Sequence, residues 1–297
     1  MNQIQIVNKD TVHKLSIIIV SYNSVKYIDD CINSIIKYHE PKKNKSEIIV
    51  VDNASTDGSV DLVKNKYTDV KLILNKSNLG FSAANNIGIK LSQSEYVLLC
   101  NSDCEIFKDS INNLISFMDK HQSVGISGPK IINSDGTIQL SCRRFPSFFD
   151  AGMHSILEYI IPGNRFTRKY KLADVNRKKP FEVDWVSGSF MIIRRKAMLD
   201  TGLLDEKYFM YVEDIDLCYQ MWKKGWQVYY NPYSRVLHHV GGSTHESKTT
   251  ASIRMQKSIF HFYWKNYRKT YRIIFLPLVL IFLGLRILLT FIKNLLK

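Results

Sequence analysis

Short apolar runs of strand length alternate with segments of helical periodicity across residues 15–120. The apolar runs cover residues 15–20, 48–51, 70–74 and 96–100, and the helical segments cover residues 28–36, 60–66, 81–91 and 109–120. Strands that are apolar on both faces are typical of a parallel sheet covered by helices. The alternation therefore predicts an α/β fold with a mainly parallel sheet.

Beyond residue 124 the alternation gives way to a mixed pattern. A hairpin is predicted over residues 130–140, with its turn at Asp135 and Gly136. Residues 143–179 are basic and read as irregular, residues 183–194 as one strand and residues 213–224 as a helix. A last strand is expected over residues 226–230, followed by strand-like residues 235–237.

Composition excludes general disorder, since 45% of the 297 residues are hydrophobic and only 23% are charged. The five cysteines are an odd number and include no CxxC pair, so we expect reduced, buried thiols rather than a zinc site or a disulfide framework. Residues 1–14 contain no apolar segment of the kind that a secretory signal needs. We therefore expect the folded part of the chain to lie in the cytosol.

The net charge of +14 is concentrated near the C-terminus, where residues 247–297 hold ten Lys or Arg and no acidic residue. Residues 273–292 are mostly apolar, whereas Arg286, Thr290, Lys293 and Lys297 fall on one helical face. This pattern predicts an amphipathic helix lying on a membrane surface, and a single span and a buried core helix are the alternatives. A nucleic-acid-binding protein would instead place its excess charge on a folded face, so no nucleic-acid partner is expected.

Polar residues follow three of the predicted strands, at the edge where ligands bind in open α/β sheets. They are Ser21, Tyr22 and Asn23 after the first strand, Asp52 and Asn53 after the second, and Asn101, Ser102 and Asp103 after the fourth. Neither a dinucleotide-binding glycine motif nor a P-loop is present. Asp52 suits a nucleobase or ribose, or simply a turn, and Asp103 suits a divalent cation that holds a diphosphate.

Three carboxylates, Glu213, Asp214 and Asp216, occupy the start of the predicted helix 213–224. The helix dipole alone stabilises such acids by about 0.3–1 kcal/mol each. At 100° per residue Glu213 and Asp216 share a side and Asp214 points away from them, so one carboxylate is free to face a cleft. His238 and His239 follow a strand and are candidates for a metal ligand or a phosphate contact.

Six ordered motifs in residues 14–243 resemble the family 2 glycosyltransferases, and in particular their bacterial rhamnosyltransferase-like branch. The motifs are SIIIVSYN (16–23), VVDNASTDG (50–58), NLGFSAANNIG (78–88), LLCNSD (98–103), WVSGSF (185–190) and FMYVEDIDLC (209–218). The resemblance implies a GT-A fold, which is Rossmann-like, a nucleotide-sugar donor and Mg²⁺ or Mn²⁺. It also implies a nucleotide-binding half over residues 14–128 and an acceptor half over residues 129–243.

The resemblance also implies a role for each matching residue. The donor-binding residues would be Ser21, Tyr22, Asn23, Asp52, Asn78, Gly80, Asn85, Asn101 and Ser102. The metal would be held by Asp103, at the end of a D-x-D element whose first member here is Asn101, and by His238. Asp214 would be the catalytic base, and Trp185, Gly188 and Glu213 would line the acceptor and sugar pocket.

These roles imply an inverting transfer from a nucleotide-diphosphate sugar, with rhamnose as the leading candidate sugar, to a hydroxyl of a lipid-linked glycan in cell-wall or surface-polysaccharide synthesis. A catalytically silent sugar-nucleotide-binding protein is the alternative. The expected organisation adds an N-terminal extension (1–13), a basic and aromatic connector (244–272) and a membrane-associated helix (273–297). With cytosolic donor and membrane attachment, the protein would work at the cytoplasmic face of the cell membrane.

Overall fold

The fold is taken from a computed structural model that describes residues 13–145, 157, 161, 163–239 and 247–295. Most of the predicted N-terminal extension, part of the basic segment 143–179, the start of the predicted connector and residues 296–297 lie outside the described residues. Lys293 belongs to a described helix, but its side chain is not described, and Lys297 is outside the described residues.

The first half of the chain forms the predicted alternation of strands and helices. Its strands are β1 (Leu15–Ser21), β2 (Ser46–Asp52), β3 (Lys71–Leu74), β4 (Tyr96–Asn101) and β5 (Cys104–Ile106). Its helices are α1 (Val25–His39), α2 (Ser59–Lys66), α3 (Phe81–Leu91) and α4 (Ser110–Lys120). Strand β1 pairs in parallel with β2 and β4, and β2 pairs in parallel with β3. The predicted parallel sheet is confirmed, and β5 is an additional short strand.

The second half extends this sheet with antiparallel and parallel strands. Its strands are β6 (Val124–Ile132), β7 (Ile138–Gln139), β8 (Cys142–Arg143), β9 (Phe181–Glu182), β10 (Trp185–Val186), β11 (Phe190–Arg194) and β12 (Gln227–His238). Its helices up to β12 are α5 (Arg165–Tyr170), α6 (Arg195–Thr201) and α7 (Glu213–Lys223). Within the described residues one sheet has ten strands, with the main order β3-β2-β1-β4-β11-β6-β12-β5. Strand β11 is antiparallel to both β4 and β6.

Three predictions for the second half were wrong. Residues 183–194 do not form one strand, because β10 pairs with β8 in a small separate sheet and β11 joins the main sheet. Residues 226–230 and 235–237 form one strand, β12, with a register shift between Asn231 and Arg235. The segment 143–179 is not wholly irregular, since it contains α5. The predicted hairpin at residues 130–140 is confirmed by the antiparallel pairing of β6 with β7.

Side chains of the central strands alternate between two apolar cores, one on each face of the sheet. On one face Leu15, Ile17 and Ile19 of β1 pack with residues of α1 and α4. On the other face Ile18 packs with residues of α3, α6 and α7. All five cysteines are buried and free, as predicted. Full burial of each such aliphatic side chain contributes about 1.5–3 kcal/mol, so the sheet is a rigid support for the loops at its carboxyl edge.

A helical hairpin formed by α8 (Lys248–Tyr267) and α9 (Leu276–Leu295) follows the sheet, with a 3₁₀ helix (Tyr271–Phe275) between its two helices. Helix α8 packs on the core through Phe262, Tyr263 and Tyr267. Thr290, on the polar face predicted from the sequence, is buried against α8, where its hydroxyl lies 3.2 Å from that of Ser252. That part of the polar face therefore meets protein.

The opposite face of α9 is apolar and exposed. Its exposed residues include Leu278, Leu280, Ile281, Leu285, Leu288, Phe291 and Ile292. Residues 271–292 form a 22-residue stretch that is long and apolar enough to cross a membrane, and only 11% of its most apolar window is buried inside the protein. The alternative of a buried core helix is therefore wrong, and the stretch is a candidate for membrane association.

Candidate active site

The carboxyl ends of β1, β2 and β4 bring the first group of predicted site residues together. Ser21 is the register partner of Asp52, and Asn101 pairs with Val20 beside it. Asp52 is buried and accepts hydrogen bonds from the backbone N–H of Ser55 at 2.8 Å and from its hydroxyl at 2.5 Å. Asp52 therefore shapes the turn that follows β2, while its position at the edge keeps it within the candidate site.

Asn23 and Tyr22 lie in the loop after β1, which is fastened to the loop after β2. The Asn23 side-chain oxygen accepts the N–H of Thr56 at 2.8 Å, and the Asn23 N–H donates to the Ser55 hydroxyl at 2.8 Å. Asn23 has a φ of 49°, in the left-handed region that asparagine tolerates better than most residues. Tyr22 is partly exposed. The two loops thus form one continuous wall.

A third loop joins this wall to the start of α7 through Gly80. The Phe81 N–H donates to the Phe209 carbonyl at 2.6 Å, and a Cβ at Gly80 would lie 2.4 Å from that oxygen. Gly80 also has a φ of +84°, so only glycine fits there. Asn78 accepts the Gly80 N–H at 2.9 Å, and Asn85 donates to the Phe81 carbonyl at 2.9 Å. These two asparagines stabilise the close approach.

A buried metal-ligating cluster lies beyond β4. Asp103, Cys104 and His238 each offer one ligand atom, and these atoms lie within 4.8 Å of one another. Strand β12 pairs with β5 so that His238 is opposite Cys104, and His238 Nε2 is 3.3 Å from Asp103 Oδ1. The histidine of the cluster is therefore His238. Its neighbour His239 bonds Glu105 at 2.8 Å instead.

The chemistry of this cluster fits a divalent cation. Carboxylate, imidazole and thiolate groups are all established metal ligands. Beside Asp103, the side-chain oxygens of Asn101 and Ser102 are buried and have no hydrogen-bond partner among the described residues. Buried polar atoms of this kind normally have a partner, such as an ion, water or ligand. Sequence reasoning missed Cys104, although its adjacency to Asp103 was a usable signal.

Asp214 lies at the start of α7, facing the loop between β10 and β11. Its Oδ2 accepts the Gly188 N–H at 2.9 Å. Asp214 is partly exposed, whereas Glu213 and Asp216 are buried, so the three acids differ as the helical spacing predicted. A Cβ at Gly188 would lie 3.2 Å from Asp214 Cβ and 3.5 Å from the Phe81 ring. Asp214 therefore sits beside the Gly80 loop.

The Gly188–Ser189 step connects the metal-ligating cluster to Asp214. The Ser189 carbonyl accepts the Asn101 N–H at 2.8 Å and the Cys104 thiol at 3.5 Å. Because Gly188 contacts Asp214 and Ser189 contacts the loop that carries Asp103, the two candidate carboxylates border the same region. Nothing in the sequence pattern of residues 183–194 indicated this junction.

Burial controls the ionisation of the two adjacent acids. It raises the pKa of Glu213 well above the usual range, and the nearby charge of Asp214 raises it further. Burial also raises the pKa of Asp214, although the N–H groups of Gly188 and Ile215 and the positive charge of Arg143 act to lower it. Glu213 is thus disposed to stay protonated, while Asp214 is the better candidate for a proton acceptor.

Trp185 is 6% exposed and belongs to the apolar core, so its ring presents little surface to a substrate. Its indole N–H donates to the Arg144 carbonyl at 2.8 Å. The Arg143 guanidinium lies 5.2 Å from the centre of the Trp185 ring and 5.7 Å from that of Tyr170. Trp185 therefore supports Arg143, which sequence reasoning did not single out.

Neutralising Arg143 is expected to shift the pH dependence of activity. A general base works in its deprotonated form, so activity falls as the pH drops through the pKa of Asp214. In Arg143→Gln the lowering influence of the guanidinium is lost, the pKa of Asp214 rises, and the acidic limb of kcat/KM moves to higher pH. Arg144→Gln is the matched control, and an unmoved limb in Arg143→Gln would contradict the electrostatic link.

Two solved structures share the fold. GalNAc-T7, solved with UDP, GalNAc and Mn²⁺, matches with a TM-score of 0.61 at 18% identity, and the match covers 88% of this chain but 50% of GalNAc-T7. Mannosyltransferase PcManGT from Pyrobaculum calidifontis, in complex with GDP-Man and Mn²⁺, matches with a TM-score of 0.58 at 17% identity, covering 88% of this chain and 66% of that protein. At these identities the likeness shows the fold alone, which is the predicted GT-A fold.

Two family models match the sequence, Glycosyl transferase family 2 over residues 16–201 and Glycosyl transferase family group 2 over residues 151–296. The N-acetylglucosaminyl-diphospho-decaprenol L-rhamnosyltransferase of Mycobacterium tuberculosis (strain ATCC 25618 / H37Rv) is 33% identical over 228 residues, which cover 72% of this chain and 73% of that enzyme. This chain therefore belongs to the family 2 glycosyltransferases, in their rhamnosyltransferase-like branch.

Proposed function

We propose that this protein is an inverting glycosyltransferase that moves a sugar, with rhamnose as the leading candidate, from a nucleotide-diphosphate sugar to a hydroxyl of a lipid-linked glycan. The observation that carries the proposal is the Gly188–Ser189 step, which contacts Asp214 on one side and the Asp103 loop on the other. A base and a diphosphate site must border one region for such a transfer. The name of the mycobacterial relative supports both the sugar and the lipid-linked acceptor.

The donor nucleotide would occupy the wall formed by the loops after β1, β2 and β4. Asp52 and the Ser21–Asn23 loop would contact the nucleoside. Asn78, Gly80 and Asn85 would keep the loop before α3 close to the bound donor. The unsatisfied side-chain oxygens of Asn101 and Ser102 would face the diphosphate and its cation.

Asp103 and His238 would hold Mg²⁺ or Mn²⁺, with Cys104 close enough to add a third ligand. A cation bound there supplies Lewis-acid stabilisation of the charge that develops on the diphosphate. Because Asn101 replaces the first carboxylate of the D-x-D element, Asp103 is the carboxylate of this loop, and the imidazole of His238 compensates for the missing ligand. Both GT-A neighbours were solved with Mn²⁺.

Asp214 would act as the general base. Its carboxylate accepts the proton of the acceptor hydroxyl, and the hydroxyl oxygen forms a bond to the anomeric carbon. The bond from that carbon to the diphosphate oxygen breaks on the opposite face, so the nucleoside diphosphate departs with the electron pair and the configuration inverts. The Gly188 N–H fixes one carboxylate oxygen, and a positioned base of this kind contributes about 10²–10⁴-fold to the rate.

Membrane attachment through the α8–α9 hairpin would bring the site to its lipid-linked acceptor at the cytoplasmic face of the cell membrane. The exposed face of α9 is apolar, and the hairpin has no acidic residue. Basic and aromatic side chains at the turn, Arg268, Lys269, Tyr271 and Arg272, suit anionic headgroups. A peripheral arrangement, with α9 lying in the interface, keeps its other face packed on α8.

Placing charges on the apolar face is expected to weaken membrane binding. Ile281 and Leu288 are 56% and 51% exposed, and replacing both by Asp should lower the affinity for vesicles with anionic lipid by about tenfold or more. Ile138→Asp, at a residue of β7 that is 43% exposed, is the matched control. Vesicle co-sedimentation measures the effect, and equal binding by all three proteins would contradict the assigned surface.

A panel of nucleotide sugars tests the proposed function. The purified protein, supplied with a polyprenyl-diphosphate-linked glycan acceptor, is expected to release nucleoside diphosphate fastest from the rhamnose donor. Rapid release with another sugar would correct the donor assignment only. Donor binding without any release or transfer would refute the enzyme proposal in favour of a silent sugar-nucleotide-binding protein.

A further inference from the structure

Lys265 of α8 makes two short ion pairs with acids that flank the candidate base. Its Nζ lies 2.6 Å from Asp216 Oδ2 and 2.8 Å from Asp205 Oδ2. The Asp216 side chain is 4% exposed, so this is a sheltered contact rather than a surface pair. Burial alone would lower the pKa of Lys265, but the hydrogen bonds to the two carboxylates raise it, so the ammonium stays charged.

The other oxygen of Asp216 is also occupied by α8. Asn266 Nδ2 donates to Asp216 Oδ1 at 3.0 Å, and Gln220 of α7 donates to the same oxygen at 3.2 Å and to Asn266 at 3.0 Å. Both carboxylate oxygens therefore have protein donors. This arrangement is typical of a fixed attachment between two helices and leaves Asp216 no vacancy for a substrate.

Asp216 and Asp214 project in nearly opposite directions from α7, because two residues of a helix differ by about 200°. Asp214 faces Gly188 and Asp216 faces α8. The first turn of α7 is thus held on both sides, by the loop between β10 and β11 and by Lys265 with Asn266. Any rotation of this turn that breaks the attachment of Asp216 also displaces the Asp214 carboxylate.

Helix α8 also holds the strained segment that leads into α7. Tyr211 and Val212 both have a φ of 72°, a conformation that costs about 1–3 kcal/mol for each non-glycine residue. The Ser258 hydroxyl donates to the Met210 carbonyl at 3.1 Å, and the Arg254 guanidinium lies 3.9 Å from the centre of the Phe209 ring. The strain persists because these contacts and the Phe81–Phe209 hydrogen bond fix the segment.

We infer that Lys265, assisted by Asn266, is a positioning residue for the reaction: by fixing Asp216 it holds the first turn of α7 in the orientation that aims Asp214 at the acceptor hydroxyl. The inference rests on the proposed role of Asp214 as the base. It makes the hairpin part of the active-site structure in addition to its role at the membrane, and Lys265 itself contacts neither substrate.

Kinetics of the full-length protein with Lys265→Met test this inference. The expected result is a kcat, per donor-binding site, that is about 10- to 100-fold lower, with an unchanged donor KM. The acidic limb of the pH profile should also move to higher pH, because a loosened turn weakens the Gly188 hydrogen bond that lowers the pKa of Asp214. A purely structural loss would reduce the number of donor-binding sites and leave the limb in place. Lys265→Arg should recover most of the rate.

Lys66→Met is the matched control, since it removes an ion pair of 2.7 Å with Asp29 and should leave both readouts unchanged. If Lys265→Met does not bind donor, Asn266→Leu decides, with a smaller decrease in kcat and the same shift of the limb expected. Wild-type kcat and pH profile in the folded variant would overturn the inference. Full activity of Asp214→Asn would instead overturn the proposed base, so the two failures are distinct.

Discussion

Asp214→Asn is expected to lower the rate of sugar transfer by about 10²–10⁴-fold while leaving donor affinity unchanged. Asparagine matches aspartate in shape, and its side-chain oxygen still accepts the Gly188 N–H that Asp214 accepts at 2.9 Å. It cannot accept the hydroxyl proton, so the fold and the donor site remain while the base is lost. Initial rates with the donor and acceptor, together with calorimetric donor binding, measure the two effects separately.

Asp61→Asn is the control for this substitution, because Asp61 is exposed on α2. Normal turnover in a folded, donor-binding Asp214→Asn protein would show that another group accepts the proton. Glu213 would then be the next residue to test, although its raised pKa makes it a poor base near neutral pH.

Removal of divalent cations is expected to lower transfer by about 10²-fold or more, since a Lewis acid at the diphosphate stabilises the transition state by several kcal/mol. Addition of Mg²⁺ or Mn²⁺ after EDTA treatment should restore the wild-type rate. It should restore little activity in Asp103→Asn or His238→Ala, because each variant lacks one member of the buried cluster. Rates over a titration of each cation measure the effect.

His239→Asn is the matched control for His238→Ala, since the adjacent His239 side chain bonds Glu105 and Ser134 rather than Asp103. Calorimetric Mn²⁺ binding to each folded variant provides a readout independent of transfer. Undiminished activity in EDTA would remove Asp103 and His238 from their proposed role, whereas equal losses in His238→Ala and His239→Asn would leave the identity of the histidine ligand wrong.

The sheet was predictable wherever local sequence determines burial. Strands β1, β2 and β4 are apolar on both faces because helices cover both sides, and that pattern is visible in the sequence alone. The polar residues at their carboxyl ends, Ser21, Asp52 and Asn101, could be grouped for the same reason, since parallel neighbours end at one edge. The family motifs added role assignments that no periodicity contains.

What sequence reasoning missed depends on contacts between distant segments. The break between β10 and β11 exists because Asp184 accepts the Phe145 N–H at 2.5 Å and because Ser189 bonds the loop after β4. Cys104 joins the cluster only through the pairing of β5 with β12. The attachment of Lys265 to Asp216 likewise requires the packing of α8 on α7, which the basic and aromatic composition of residues 244–272 did not reveal.

The position of His238 at the end of β12 has a consequence for synthesis of the protein. Because the chain emerges from the ribosome in order, the nucleotide-binding edge of β1, β2 and β4 is available well before Asp214, and His238 and Lys265 follow later still. A nascent or prematurely terminated polypeptide that stops before α7 would display that edge without the proton acceptor. Catalytic competence would then arise only in nearly finished chains, as their last helices reach the bilayer.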